Sequence, residues 1–233
     1  MSTFDAVFFA VLHSGVTAFA YALGLAVYRR SGHKSWLHPV ITAAAVLALL
    51  IQTGLLDLEQ YRDGTRALVW LLGPATVALA LPLSQQLAAV RQQALPLALA
   101  LGVGAFTATA SALFLAQWFG LEPDLWASLA PKTITSPLAM EVAAAVGGDP
   151  GLAAALVIVT GVIGAVCAPP LLQALGTAEP RVLGFTLGLS AHGVGTARAL
   201  EEGSECGAFA SLAMGATGVL VGVALPLILN YWL

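Results

Sequence analysis

The sequence predicts an all-α fold, a polytopic membrane bundle of about seven or eight hydrophobic segments, two of them broken or re-entrant. Composition is the first reason: of 233 residues 59% are hydrophobic and 9% charged, and the 24 glycines are scattered rather than gathered in linkers. A soluble domain carries about a quarter charged residues. The second reason is the recurrence of nearly uncharged apolar stretches long enough for about twenty helical residues to cross the hydrocarbon. The third is that these runs exceed what a barrel strand needs, and a backbone in lipid must satisfy its own hydrogen bonds, which leaves helices.

The segments fall at about 4–28, 37–56, 67–83, 94–119, 128–146, 151–175, 181–199 and 207–231. The first is a span and not a cleavable signal, because its basic cluster Arg29, Arg30 and Lys34 follows the apolar run. The positive-inside rule puts that cluster in the cytoplasm and the N-terminus outside. Alternation then places the loop at 84–93, with Arg91, inside, and the loop at 120–127, with Glu122 and Asp124, outside. Segment 128–146 is interrupted by Pro131 and Pro137, so it either crosses or enters and turns back. Charge favours turning back, which sets Arg181 inside and the acidic stretch Glu201, Glu202, Glu205 outside; eight full crossings reverse both.

The whole of 1–233 reads as a single transmembrane domain with a candidate internal repeat. GPATVALALPL (73–83) and APKTITSPLAMEV (130–142) align Pro74 with Pro131 and Thr76 with Thr133, 57 residues apart, and the following helices keep the offset. The candidate repeat units are about 67–119 and 128–175. Short proline-broken segments in corresponding positions point to a transporter's binding site. The plainer alternative is a pair of ordinary kinks.

Lys132 and Glu141 are the full charges inside these broken and neighbouring segments, and a charge at membrane depth is a functional hypothesis by default. Pro131 suits the first position of a short helix, and Ser136–Pro137 an N-cap followed by the start of another. Two helix N-termini side by side attract an anion. Lys132 beside them calls for a bound carboxylate, whose oxygens Thr76, Thr133, Thr135 and Ser136 are placed to grip. Otherwise Lys132 snorkels from the end of a loop. Glu141 is either a proton carrier or the counter-charge to Lys132. In 181–199, Gly184, Gly188, His192 and Thr196 recur every four residues as one small, polar stripe. His192 within it contacts substrate, shuttles a proton, or bonds to a neighbouring helix. Arg198 with Glu201 and Glu202 reads as an interfacial ion-pair cluster, and Ser211, Gly215, Gly218 and Gly222 as helix packing.

A net charge of −3 offers no basic patch for nucleic acid. Cys167, in an apolar run, and Cys206, in an acidic loop, make neither a disulfide framework nor a metal site. No phosphate-binding lysine loop, HExxH, nucleophile elbow or dinucleotide fingerprint is present, so the expectation is a protein without cofactor and not an enzyme.

LGPATVALALPL (72–83), PKTITSPLAMEV (131–142) and LSAHGVGTARALEEGSECGAFASLAMG (189–215) closely resemble the LrgB/CidB family over most of the chain. The resemblance implies an integral protein of the bacterial cytoplasmic membrane, named in that family for antiholin-like control of murein hydrolase activity and autolysis. It also implies pairing with a small LrgA/CidA-type membrane protein. Similar plastid proteins translocate glycolate and glycerate, and bacterial relatives are linked to pyruvate, so the resemblance supplies a substrate class of small monocarboxylates or 2-hydroxy acids. Two expectations follow: a secondary transporter, proton-coupled or exchanging one acid for another, or a regulatory antiholin-like subunit. Glycine-lined helices add the expectation of a homodimer.

Overall fold

The structure is a computed structural model that describes residues 3–32, 37–177 and 179–232; Lys34 lies outside the described residues. Among them every regular element is an α-helix. The chain forms two compact units, Met1–Ala78 and Leu79–Leu233. Among the described residues five stretches are long and apolar enough to cross a membrane: Val7–Arg30, Arg66–Gln85, Ala94–Trp118, Pro150–Ala174 and Ser204–Leu229.

The first unit holds α1 (Thr3–Arg30), α2 (Pro39–Gln52), α3 (Leu58–Gly64) and α4 (Arg66–Ala78). His13, Ala20 and Tyr28 recur on one buried side of α1, as a helical period requires. The Thr17 hydroxyl lies 2.8 Å from the Tyr61 hydroxyl, tying α1 to α3.

The second unit holds α5 (Ala80–Gln85), α6 (Leu87–Gln92), α7 (Ala94–Trp118), α8 (Pro123–Leu129), α9 (Ser136–Ala145), α10 (Pro150–Ala174), α11 (Pro180–Glu202) and α12 (Ser204–Trp232). The break expected near the prolines of 67–83 is absent. Pro74 lies inside α4, and Leu79 joins α4 to α5 at φ −65°, ψ −16°, so the stretch continues as one helical span. Membrane helices tolerate such prolines because local adjustments satisfy the freed carbonyl.

Segment 128–146 does break, and it turns back. After α9 the Asp149 N–H donates to the Ser128 hydroxyl of α8 at 2.7 Å, so the chain returns to where it entered. A methyl on Gly148 would lie 2.6 Å from the Ser128 backbone nitrogen, which shows how closely the two ends meet. Residues 130–135 form the tip. Pro131 does not open a helix there: it sits in the turn that closes α8, where the Lys132 N–H donates to the Leu129 carbonyl at 3.1 Å. Thr135, rather than Ser136, takes the N-cap position of α9.

The segment read as one continuous helix, 181–199, is a second hairpin. His192 departs from helical geometry at φ 39°, ψ −123°, splitting α11 into limbs 180–191 and 193–202. A methyl on Gly195 would collide with the carbonyl oxygen of Leu187, eight residues earlier, which a straight helix places two turns away. The first limb runs parallel to α12: Arg181 pairs with Glu205 at 2.6 Å, and methyls on Gly184 and Gly188 would collide with the carbonyls of Cys206 and Ala210. The second limb runs antiparallel to it, with Thr196 donating to Met214 at 3.6 Å and Leu200 against Gly207. Arg181 and the acidic residues at 201–205 therefore share one side of the membrane, against the expectation that they lie on opposite sides. Cys206 is buried within α12 rather than in a loop.

The hairpins enter from opposite ends, because α10 leaves the base of the first and ends beside the base of the second. Each is followed by a spanning helix, α10 after the first and α12 after the second.

Candidate functional site

The hairpin tips converge along three spanning helices. On α7, Gly104 faces Leu189 of the second hairpin, while the Ala108 carbonyl, one turn on, accepts a hydrogen bond from Lys132 of the first at 3.2 Å. On α12, Met214 meets Thr196, while a methyl on Gly218, one turn on, would lie 3.5 Å from Leu138 of α9. On α10, the Val157 carbonyl accepts from His192 Nε2 at 3.0 Å, and the Val157 side chain packs in the cluster that holds Ile134 and Ala139. Helix α10 starts at one membrane side and α12 at the other, so these contacts fall in the middle of the bundle, at the depth of the hydrocarbon.

This junction is closely packed and polar. His192 is 4% exposed, and its bond to Val157 fixes a proton on Nε2. A methyl on Gly161 would stand 2.6 Å from the imidazole Cε1, so α10 needs a residue without a side chain to let the ring in. The backbone of His192 matches the first central position of a type II′ turn, a place glycine normally fills. Holding a histidine there costs on the order of 1–3 kcal/mol, which is the kind of strain found at functional sites. Thr196 turns inward on the second limb and donates to the His192 carbonyl at 2.8 Å.

Three threonine hydroxyls around the junction are buried with no hydrogen-bond partner among the described residues: Thr133 at the first tip, Thr109 next to Ala108 on α7, and Thr217 on α12. Buried hydroxyls in native structures are paired in the great majority of cases, so three together require an explanation. Thr109 also lines a cavity of about 310 Å³ between α7 and α12, walled by Phe106, Leu113, Val221, Leu225 and Ile228. That cavity is apolar apart from the threonine, and its chemistry does not suit an acid.

Of the site residues read from sequence, Lys132, Thr133, Thr135 and Ser136 lie on the first tip and His192 on the second, and Val157 of α10 touches both tips, by its carbonyl to His192 and by packing with Ile134. Lys132 departs from the expected arrangement in one respect. It follows the C-terminus of α8 instead of opening a helix, so a cation there meets the favourable end of the peptide dipoles and the pair of adjacent N-termini does not form. Glu141 is elsewhere: it is exposed on the side of α9 opposite the buried Ala139, Val142 and Ala143, and among the described residues no ion pair joins it to Lys132. Thr76 lies in α4, in the other unit, and its side chain is outside the described residues. The interfacial cluster has the expected form, with Arg198 bonded to Glu201 at 3.2 Å and to Glu202. Thr109 and Thr217 were not singled out from sequence. Thr217 is the lone hydroxyl in MGATGVLVG, and Thr109 one of three in GAFTATASA, runs otherwise suited to packing.

A helical membrane protein with opposed re-entrant hairpins around a buried polar centre is the class these observations define. Residues 17–231 match the LrgB-like family, and the chain belongs to it. It is 31% identical over 224 residues to a protein of Bacillus subtilis (strain 168) named "Uncharacterized protein YwbG", covering 96% of this chain and 99% of that one. A second protein of that organism, "Uncharacterized protein YxaC", is 32% identical over 218 residues, 94% of each chain. "Antiholin-like protein LrgB" of Bacillus mycoides (strain KBAB4) is 26% identical over 216 residues, 93% of this chain and 94% of that one. No solved structure matches the chain.

Proposed function

We propose that the chain is a secondary transporter of small monocarboxylates or 2-hydroxy acids, of the glycolate, glycerate or pyruvate class, whose site is the junction of the two hairpin tips. The observation that carries this reading is Lys132, a cation at mid-bundle depth that among the described residues bonds to a helix carbonyl, with the Thr133 and Thr109 hydroxyls unpartnered on the same two elements. A charge at that depth persists where it serves a substrate or ion path, and opposed hairpins suit alternating access from two sides. Lys132 takes the carboxylate; Thr133, Thr135 and Ser136 take its remaining oxygens; His192 contacts the substrate or carries a proton. Movement is electroneutral, with a proton on His192 or Glu141, or by exchange of acids. The N-terminus lies outside in the cytoplasmic membrane, and the protein works as a homodimer.

A second reading is favoured more directly by a relative's name, "Antiholin-like protein LrgB": a regulatory, antiholin-like subunit, which the family resemblance pairs with a small LrgA/CidA-type membrane protein in murein hydrolase export and autolysis. Liposomes holding the purified chain alone, assayed for uptake of labelled glycolate or pyruvate, separate the two. Uptake supports the transporter; its absence, with stable co-purification of an LrgA/CidA-type chain, supports the regulator. For the transporter, an imposed pH gradient applied to wild type, Glu141→Gln and His192→Gln identifies the proton carrier as the variant that no longer responds.

A further inference from the structure

The inner side of α12 carries Ala210, Met214, Thr217, Val221 and Leu225, all buried, at helical spacing. Its contacts change hands along that line. Ala210 packs in the cluster with Leu187 and Ala199 of the second hairpin, and Met214 receives the Thr196 hydroxyl of the same hairpin. Val221 and Leu225 pack in the cluster with Ile134 and Ala139 of the first hairpin, and Gly218 meets its Leu138. Thr217 lies one turn from Met214 and one turn from Val221, at the point where α12 passes from one hairpin to the other. It is the polar residue between them, 0% exposed, and its hydroxyl has no partner. The Thr109 hydroxyl, likewise unpartnered, is on α7 in a wall shared with Leu220 and Val221, and it follows the Ala108 whose carbonyl holds Lys132.

We propose that Thr217 is the specificity-determining residue of the transport site, which recognises the 2-hydroxyl of a 2-hydroxy acid whose carboxylate is held by Lys132. This rests on the transporter reading. A buried hydroxyl without a partner costs free energy in the empty protein, and it is satisfied when a substrate hydroxyl, both donor and acceptor, arrives as the hairpin tips part. Lys132, on the first tip, bonds to α7, and Thr217 is on α12 between its contacts with the two hairpins. An acid with a 2-hydroxyl offers Thr217 a partner, whereas an acid of the same length without that hydroxyl leaves Thr217 unpaired.

The test uses the full-length chain in liposomes, with labelled glycolate and labelled acetate taken up by wild type, Thr217→Val and Thr217→Ser. Wild type should favour glycolate. In Thr217→Val, which keeps the shape and drops the hydroxyl, the KM for glycolate should rise about tenfold toward that of acetate, while the acetate KM stays within about twofold. Thr217→Ser should keep the preference. The substrate-free Thr217→Val protein in detergent should unfold at the same or a higher temperature, since an unsatisfied hydroxyl has been removed. A Thr217→Val protein that still prefers glycolate overturns the proposal, as does one in which both acids lose equally or the unfolding temperature falls. A wild type that takes up neither acid removes the transporter reading itself, which is a different failure.

Discussion

Lys132 is half-buried among the helices, and among the described residues its ammonium bonds to the Ala108 carbonyl, in the body of α7. If that contact were structural, losing it would remove one hydrogen bond from an ammonium, worth about 1.5–3 kcal/mol. If the charge serves substrate, the loss is functional. Lys132→Ala should therefore insert and fold normally while abolishing glycolate or pyruvate uptake, and Lys132→Arg should keep only part of it because a planar fork replaces a point charge. Normal uptake by Lys132→Ala would mean that the lysine does no more than bond to α7. Gly188 presents the opposite case, a residue whose value is absence. A methyl there collides with the Ala210 carbonyl, so Gly188→Ala should destabilise the detergent-solubilised protein by ~1–3 kcal/mol, read as a lower thermal midpoint.

At the scale of elements, the second hairpin is held by one strained residue at its turn and by glycine contacts along its length. His192→Gly relieves the backbone and loses the Val157 bond; His192→Ala keeps the strain and loses the bond as well. Thermal unfolding should accordingly rank Ala below Gly by roughly 1–3 kcal/mol, and an equal midpoint for the two would mean that the turn is not strained. This element also marks the limit of what could be read in advance. Pro131 and Pro137 announced the first hairpin, because proline interrupts a helix and the residues after it carry cap chemistry. Nothing comparable announces the reversal at His192. Gly184, Gly188, His192 and Thr196 keep a four-residue period straight through it, and both limbs present small residues to α12, so a fold-back and a straight helix write the same stripe. The available sign was quantitative: Pro180–Glu202 is long but falls short of the apolarity that marks the five spans. Prolines misled in 67–83, where Pro74 is absorbed by a continuous helix. The candidate residues on the first tip stand out in the sequence by polarity within an apolar segment, whereas Thr109 and Thr217 draw attention only through neighbours distant in sequence.

For the whole molecule, the two hairpins fix which loops share a side. In a background with Cys167→Ala and Cys206→Ala, single cysteines at Glu179 and Ser204 should react with a membrane-impermeant thiol reagent from one side, and those at Leu121 and Ala145 from the other. Labelling of Glu179→Cys and Ser204→Cys from opposite sides would mean that α11 crosses, and the second hairpin would fall. Arg181 bonded to Glu205 across the base of that hairpin sets the expectation of a shared side. The five spans themselves were plain from long uncharged runs, since the cost of exposing backbone to lipid leaves the sequence little freedom there.

The parallel seating of the first limb of α11 on α12 bears on the order of biogenesis. Residues 180–191 emerge from the ribosome before their bed exists: Gly184 docks on Cys206 and Gly188 on Ala210, both synthesised later. Too polar to rank among the spans, α11 has little reason to partition into lipid alone, and must wait at the membrane surface until α12 has threaded across. The hairpin at the heart of the protein is thereby among the last parts to enter, and a chain truncated after residue 203 and released from the ribosome should leave it outside the bilayer and open to protease.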